Sequence, residues 1–178
     1  ARTELQVVHL TGVTMATTYS IKVVEQSFEK GARDLLQQLV DGELESVNQQ
    51  LSRYHDGSVL DRFNRSSSTD PMSVPAPLVE VLSEALEISR LTEGAYDVTV
   101  GPLVQLWGFD EKRSLAVEPA EEELLAVREQ VGYGKLELSS DDGTIRKLHP
   151  DLDVDLSSVA KGYGVDRIAL ALERDGYH

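Results

Sequence analysis

The sequence predicts an α+β fold, a mixed or antiparallel sheet with packed helices. Two observations carry this expectation. Strand-like alternation and helical periodicity come in runs along the chain, where a parallel doubly wound sheet would need strict alternation of the two. The length of 178 residues suits one domain with a sizeable core, and apolar residues make up 40 % of it.

The elements follow in order. "ELQVVHL" (4–10) and "TTYSIKVV" (17–24) alternate as two strands, with "TGVTMA" as the turn between them. A helix is expected from Ser27 to Leu51, because Leu35, Leu36, Leu39, Val40, Leu44 and Val47 recur at helical spacing. "SRYHDGSVLDRFNRSSSTDP" reads as a loop holding a short ordered segment at Val59–Phe63. "APLVEVLSEALEISRLTEG" (76–94) is an amphipathic helix opened near a proline and stopped at Gly94. "AYDVTVGPLVQLWGF" (95–109) begins extended and turns at Gly101-Pro102. Residues 118–132 read as an acidic-ended helix, and "KLELSS" with "TIRKLHP" as a hairpin closed by "DDG". "DLDVDL" (151–156) reads as a further strand, and 158–176 as a final helix.

Composition excludes several functions. A net charge of −14 argues against nucleic-acid binding, which normally shows a basic patch or stripe, and disfavours anionic lipid. With no cysteine there is no disulfide, cysteinyl zinc site or thiol nucleophile. No stretch is long and apolar enough to span a bilayer. No signal peptide is visible after Ala1, and a mature secreted chain reads the same way.

The densest chemistry lies in "DLDVDLSSVAKGYGVDRIA". As a strand it sends Asp151, Asp153 and Asp155 to one face and Leu152, Val154 and Leu156 into a core. Ser157 or Ser158 can cap the following helix, whose free N–H groups attract an anion. Lys161 in the first turn opposes the helix dipole, which makes sense beside a bound phosphate. Gly162 and Gly164 let a ligand approach the backbone. A solvated acidic edge with an ordinary serine cap explains the same residues. In "TEGAYDVTVGPLVQLWGF", Trp107 and Phe109 at a turn suit a core corner better than a ligand platform, and Asp97 is poised to accept a hydrogen bond from a ligand. His9, His55 and His149 are too scattered for a metal set. Tyr54 can pack on its neighbours or stack on an aromatic ligand.

These two stretches, with "TMATTYSIKV" and "LSRYHDGSVLDRFNRS", resemble in the same order the N-terminal half of the ApbE family, the FAD:protein FMN transferases. The resemblance runs through nearly the whole chain and implies that residues 1–178 are the N-terminal portion of a single T-fold-like ApbE domain, incomplete at its C-terminus. It implies FAD as substrate and magnesium as cofactor. FMN would be transferred to a Thr or Ser hydroxyl of an acceptor protein, a subunit of a respiratory or redox complex, with release of AMP. Magnesium-dependent hydrolysis of FAD to FMN and AMP, or FAD binding without chemistry, are the alternatives.

By position, the resemblance gives Met15 and Tyr54 to the flavin and Ala95, Tyr96 and Asp97 to a run that holds FAD. It gives Asp155 and Lys161 to the ribose or phosphates, and the Ser158 main-chain oxygen to magnesium. Asp151 and Asp153 match no functional position and fall to the solvated edge. Ala16 stands where the family commonly has glycine, and Tyr96 where phenylalanine or methionine is usual. The catalytic base and remaining metal ligands are expected beyond His178. The resemblance also implies a periplasmic lipoprotein held at the inner membrane by an anchor absent from this sequence.

Overall fold

The computed structural model describes residues 5–109 and 118–177. It has the expected mixed architecture of small antiparallel sheets and packed helices. The chain divides into two compact units, Ala1–Gln49 with Ala160–His178 and, between them, Gln50–Val159.

Unit 1 is built on a hairpin. Strands β1 (Gln6–Thr14) and β2 (Thr17–Glu25) pair antiparallel from Gln6↔Glu25 to Thr14↔Thr17. β1 runs through most of the expected turn, β2 starts at Thr17 as expected, and only Met15 and Ala16 form the turn, at φ 48° and 56°. Two left-handed residues in a two-residue loop match the right-handed twist of the strands, which is why the β alternation continues so far. Gly12 faces Tyr19 across the hairpin, where a Cβ would lie 2.5 Å from the Tyr19 hydroxyl oxygen. That room lets the Tyr19 hydroxyl donate to Asp41 at 2.7 Å and accept from Gln37 at 2.6 Å.

Helix α1 (Ala32–Leu51) begins five residues later than the sequence suggests. Its Leu36, Val40 and Leu44 form the core of unit 1 with Leu10, Val23 and Ile168, and Met15 packs at the rim of that cluster. Ile168 comes from the final helix, named α6 below. Leu35 of the predicted stripe is largely exposed.

In unit 2, α2 (Val59–Arg65) is capped by Ser58, whose hydroxyl accepts from Asp61 N–H at 2.9 Å. A two-residue strand β3 (Met72–Ser73), not anticipated, precedes α3 (Ala76–Leu91). Gly94 ends that helix as expected, at φ 83° with its N–H on the Ser89 carbonyl. Gly101-Pro102 opens α4 (Gly101–Leu106) where a turn was expected, because proline is preorganised for a first helical turn. The acidic helix shortens to α5 (Glu121–Arg128). The hairpin β4 (Leu136–Ser139) and β5 (Thr144–Lys147) forms as read, and β3 adds to its other side in the order β3-β5-β4. Trp107 and Phe109 do not fill a core corner: Trp107 ends α4 partly exposed and Phe109 is mostly exposed.

"DLDVDL" is not a strand. Among the described residues its only ladder contact is a single parallel bridge from Asp153 to Val100. The segment is instead held by side chains. Asn64 clasps Val154, donating to its carbonyl and accepting from its N–H, both at 2.9 Å. Lys147 is fully buried, with Nζ 3.1 Å from the carbonyls of Asn64 and Leu152 and 3.4 Å from that of Pro150. Burial lowers its pKa, yet three carbonyls match the three donors of an ammonium. Leu152, Val154 and Leu156 are buried as the alternation predicts. Helix α6 (Ala160–Arg174) follows and belongs to unit 1.

Two substitutions probe these features in the intact protein. Ala16→Gly removes a left-handed alanine and is expected to stabilise by about 1 kcal/mol in thermal unfolding. Lys147→Met removes the shared donor of three carbonyls, the Leu152 one buried, and is expected to cost about 3 kcal/mol in denaturant unfolding. An unchanged midpoint would show that those carbonyls find other partners.

Candidate functional site

The expected site residues fall into two groups, one on each unit. Met15 and Lys161 belong to unit 1. Met15 occupies the hairpin turn with its methyl 3.5 Å from where a Cβ on Gly164 would sit, so this glycine keeps the turn close to α6. Lys161 is exposed in the first turn of α6.

Tyr54, Ala95, Tyr96, Asp97, Asp155 and Ser158 belong to unit 2. Tyr54 is 53 % exposed in a short loop. The Ser52 hydroxyl pins that loop, accepting from the N–H groups of Tyr54 at 3.2 Å and His55 at 3.1 Å, and the Ser58 hydroxyl donates to the Ser52 carbonyl. Tyr54 is thus a ring presented by a fixed backbone.

Residues 95–99 and 155–158 come side by side. Asp155 N–H donates to the Val98 carbonyl at 2.7 Å, and the Tyr96 and Ser158 hydroxyls lie 3.0 Å apart. The Ser158 hydroxyl, read as a possible helix cap, meets Tyr96. A phenylalanine at 96 could not make that contact. Ala95 is exposed, with its N–H on the Thr92 carbonyl.

Asp97 faces inward to its own loop. Oδ1 accepts from Thr99 N–H and hydroxyl, both at 2.7 Å, and Oδ2 accepts from Tyr133 N–H at 2.8 Å. The Thr99 hydroxyl oxygen accepts from Gly132 N–H at 2.7 Å. Three of the roughly four acceptor positions of a carboxylate are therefore taken within the protein. Asp97 fixes the loop's shape and keeps about one lone pair for a ligand.

Asp155 is also engaged. Oδ1 accepts from Ser157 N–H at 2.8 Å, an Asx-turn, and Oδ2 faces Arg53 at 3.0 Å. The other arm of the Arg53 guanidinium reaches Asp153 at 3.2 Å, and the Arg53 side chain is only 5 % exposed. Asp153 is therefore not on a solvated edge, although Asp151 is exposed. Asp153 also accepts from Gln105 at 3.1 Å, while its Oδ1 is buried without a hydrogen-bond partner among the described residues. Arg53, Asn64 and Lys147 were not singled out in the sequence. The signal for Arg53 was a lone cation beside Tyr54 in a strongly acidic chain with three alternating aspartates.

The donor chemistry does not make a magnesium site by itself. Among the described residues no three His, Asp or Glu side chains converge to hold a metal, so a Ser158 main-chain oxygen is at most one ligand of a shell. A separate polar cleft of about 340 Å³ is lined by Asn64, Arg65, Ser66, Gln105 and Asp153, among others, and by none of the expected site residues.

Burial pushes the Asp153 carboxyl above its ordinary value, and the nearby Arg53 only partly offsets this. A carboxyl raised in the folded state leaves stability undiminished below its unfolded value of 3.8 and reduces it as pH rises through the folded value. Asp153→Asn should therefore gain on the parent protein as pH rises from about 4 to 7 in urea unfolding. The opposite slope would mean that pairing with Arg53 outweighs burial.

Comparisons with known proteins agree on one family. Residues 15–178 match the profile of the ApbE family. The FAD:protein FMN transferase of Vibrio cholerae serotype O1 is 45 % identical over 169 residues, which cover 95 % of this chain and 50 % of the relative. That of Haemophilus influenzae is 37 % identical over 174 residues, covering 96 % and 50 %. Among solved structures, the flavin transferase ApbE from Vibrio cholerae matches with a TM-score of 0.90 at 44 % identity, over 98 % of this chain and 55 % of that one. The apo form of Pseudomonas stutzeri flavinyl transferase ApbE matches with a TM-score of 0.87 at 31 % identity, over 97 % and 56 %. The chain spans about half the length of the curated relatives it matches. With the profile running from the hairpin turn to the last residue, the chain belongs to the ApbE family.

Proposed function

We propose that the intact protein is an FAD:protein FMN transferase. The observation that carries this is the joining of residues 95–99 to 155–158 in unit 2 through the Asp155–Val98 and Tyr96–Ser158 contacts. Two stretches that composition does not explain become one polar surface. Relatives at 37–45 % identity named for this activity support it.

In this proposal the Tyr54 ring of unit 2 stacks on the isoalloxazine, and the family resemblance alone assigns Met15 of unit 1 to flavin. Ala95 brings main chain close without bulk, and Tyr96 and Asp97 shape the run that holds FAD. Asp155 shapes the turn near the ribose and phosphates, and Lys161 supplies positive charge to the pyrophosphate. Such charge matters in a chain at −14, because phosphoryl transfer depends on neutralisation and in-line placement. The acceptor's Thr or Ser oxygen forms a bond to the FMN phosphorus. The bond from that phosphorus to the bridging oxygen breaks, AMP leaves with that oxygen, and the acceptor proton passes to a base outside these 178 residues. Magnesium, held by the Ser158 main-chain oxygen with ligands from elsewhere in the full-length chain, would screen the pyrophosphate charge. The acceptor is a subunit of a respiratory or redox complex, and the intact protein is a periplasmic lipoprotein anchored at the inner membrane.

The test incubates full-length protein with FAD, magnesium and a Thr-containing acceptor peptide, read by mass spectrometry. The expected result is a peptide heavier by FMN less water, with AMP released, and no labelling after chelation of the metal. FMN and AMP without labelling would replace transfer by hydrolysis. FAD binding without turnover would leave a binding module.

A further inference from the structure

The Asp155 carboxylate is buried and both of its oxygens are occupied within the protein, one by the Ser157 N–H and one by Arg53. A ligand at this surface therefore meets the turn that Asp155 organises more readily than the carboxylate itself. That turn leads directly into Ser158, whose hydroxyl reaches Tyr96. Arg53 is the one described cation paired to Asp155, across 102 positions of chain, and it is nearly inaccessible to solvent.

We propose that Arg53 is a positioning residue for FAD, acting through Asp155 on the 155–158 turn; the proposal rests on the flavin function proposed above. The physical basis is the guanidinium fork. One nitrogen is on Asp155 and the other on Asp153, so the plane of the fork fixes the direction of the Asp155 carboxylate. That carboxylate in turn orients the Ser157 amide. A lysine keeps the charge but cannot hold both carboxylates in one plane. The Arg53 guanidinium also lies 5.4 Å from the Tyr54 ring centroid, so the same side chain borders two elements assigned to FAD.

The Arg53 role and the flavin function can fail separately. FAD affinity of the full-length protein is measured by flavin fluorescence without acceptor, alongside hydrogen exchange at the Ser157 amide without ligand. Arg53→Lys is expected to weaken FAD binding roughly tenfold and to speed Ser157 exchange, since a positioned hydrogen bond to a charged group is worth on the order of one decade. Asp153→Asn keeps an amide oxygen that can accept from the other arm of the fork and leaves the Asp155 contact, and should change FAD affinity less than about twofold. Equal loss in both variants, or faster exchange with unchanged FAD affinity, would overturn the positioning role. If Arg53→Lys fails to fold, Arg53→Gln serves with the same comparison. Parent protein that binds no FAD would overturn the flavin function, and Ser157 exchange still reports whether Arg53 holds the turn.

Discussion

Unit 2 depends on burying cations against an acidic, irregular segment. Residues 151–156 carry three aspartates and three apolar residues, and they make almost no β ladder. Backbone groups without a ladder need other partners once buried, and a lone buried carboxylate is costly. Arg53 supplies the charge partner for two of the aspartates, Lys147 takes up three carbonyls, and Asn64 closes both backbone groups of Val154. Removing one partner from such a set leaves the others uncompensated, which costs more than the pair contributes.

The same economy of contacts recurs in the 95–99 loop. Asp97 receives three donors from its own unit, and Thr99 relays the hold to Gly132. Two acidic residues expected to touch a ligand thus spend most of their capacity on shape. Nearby, Tyr54, Ala95, Ser157 and Ser158 are exposed. For the proposed FAD, carboxylates fixed and turned inward would repel the pyrophosphate less than free ones.

Much of this was legible in the sequence. Helical spacing gave α3 and most of α1, and the alternation of 151–156 correctly sent Leu152, Val154 and Leu156 inward. Motif resemblance found the family, but the hydroxyl contact between Tyr96, expected at FAD, and Ser158, expected at magnesium, emerges only in the structure. What was not legible involves pairs distant in sequence. Alternation cannot distinguish a strand from an extended segment pinned by Asn64 and Lys147, and it cannot say that Asp153 faces a buried arginine. The hairpin turn was misread for a local reason: residues 11–14 continue the pairing, and Met15-Ala16 lacks the Asn-Gly signature of left-handed turns. Gly101-Pro102 was ambiguous for the opposite reason, since proline suits both a turn and a first helical turn.

The central claim is that residues 95–99 and 155–158 form one flavin surface. Hydrogen–deuterium exchange of the full-length protein, with and without saturating FAD, tests it most directly. Protection should rise together in peptides covering 94–100 and 155–159. Protection confined to the polar cleft around Asn64–Ser66 and Gln105, with both of those segments unchanged, would contradict it.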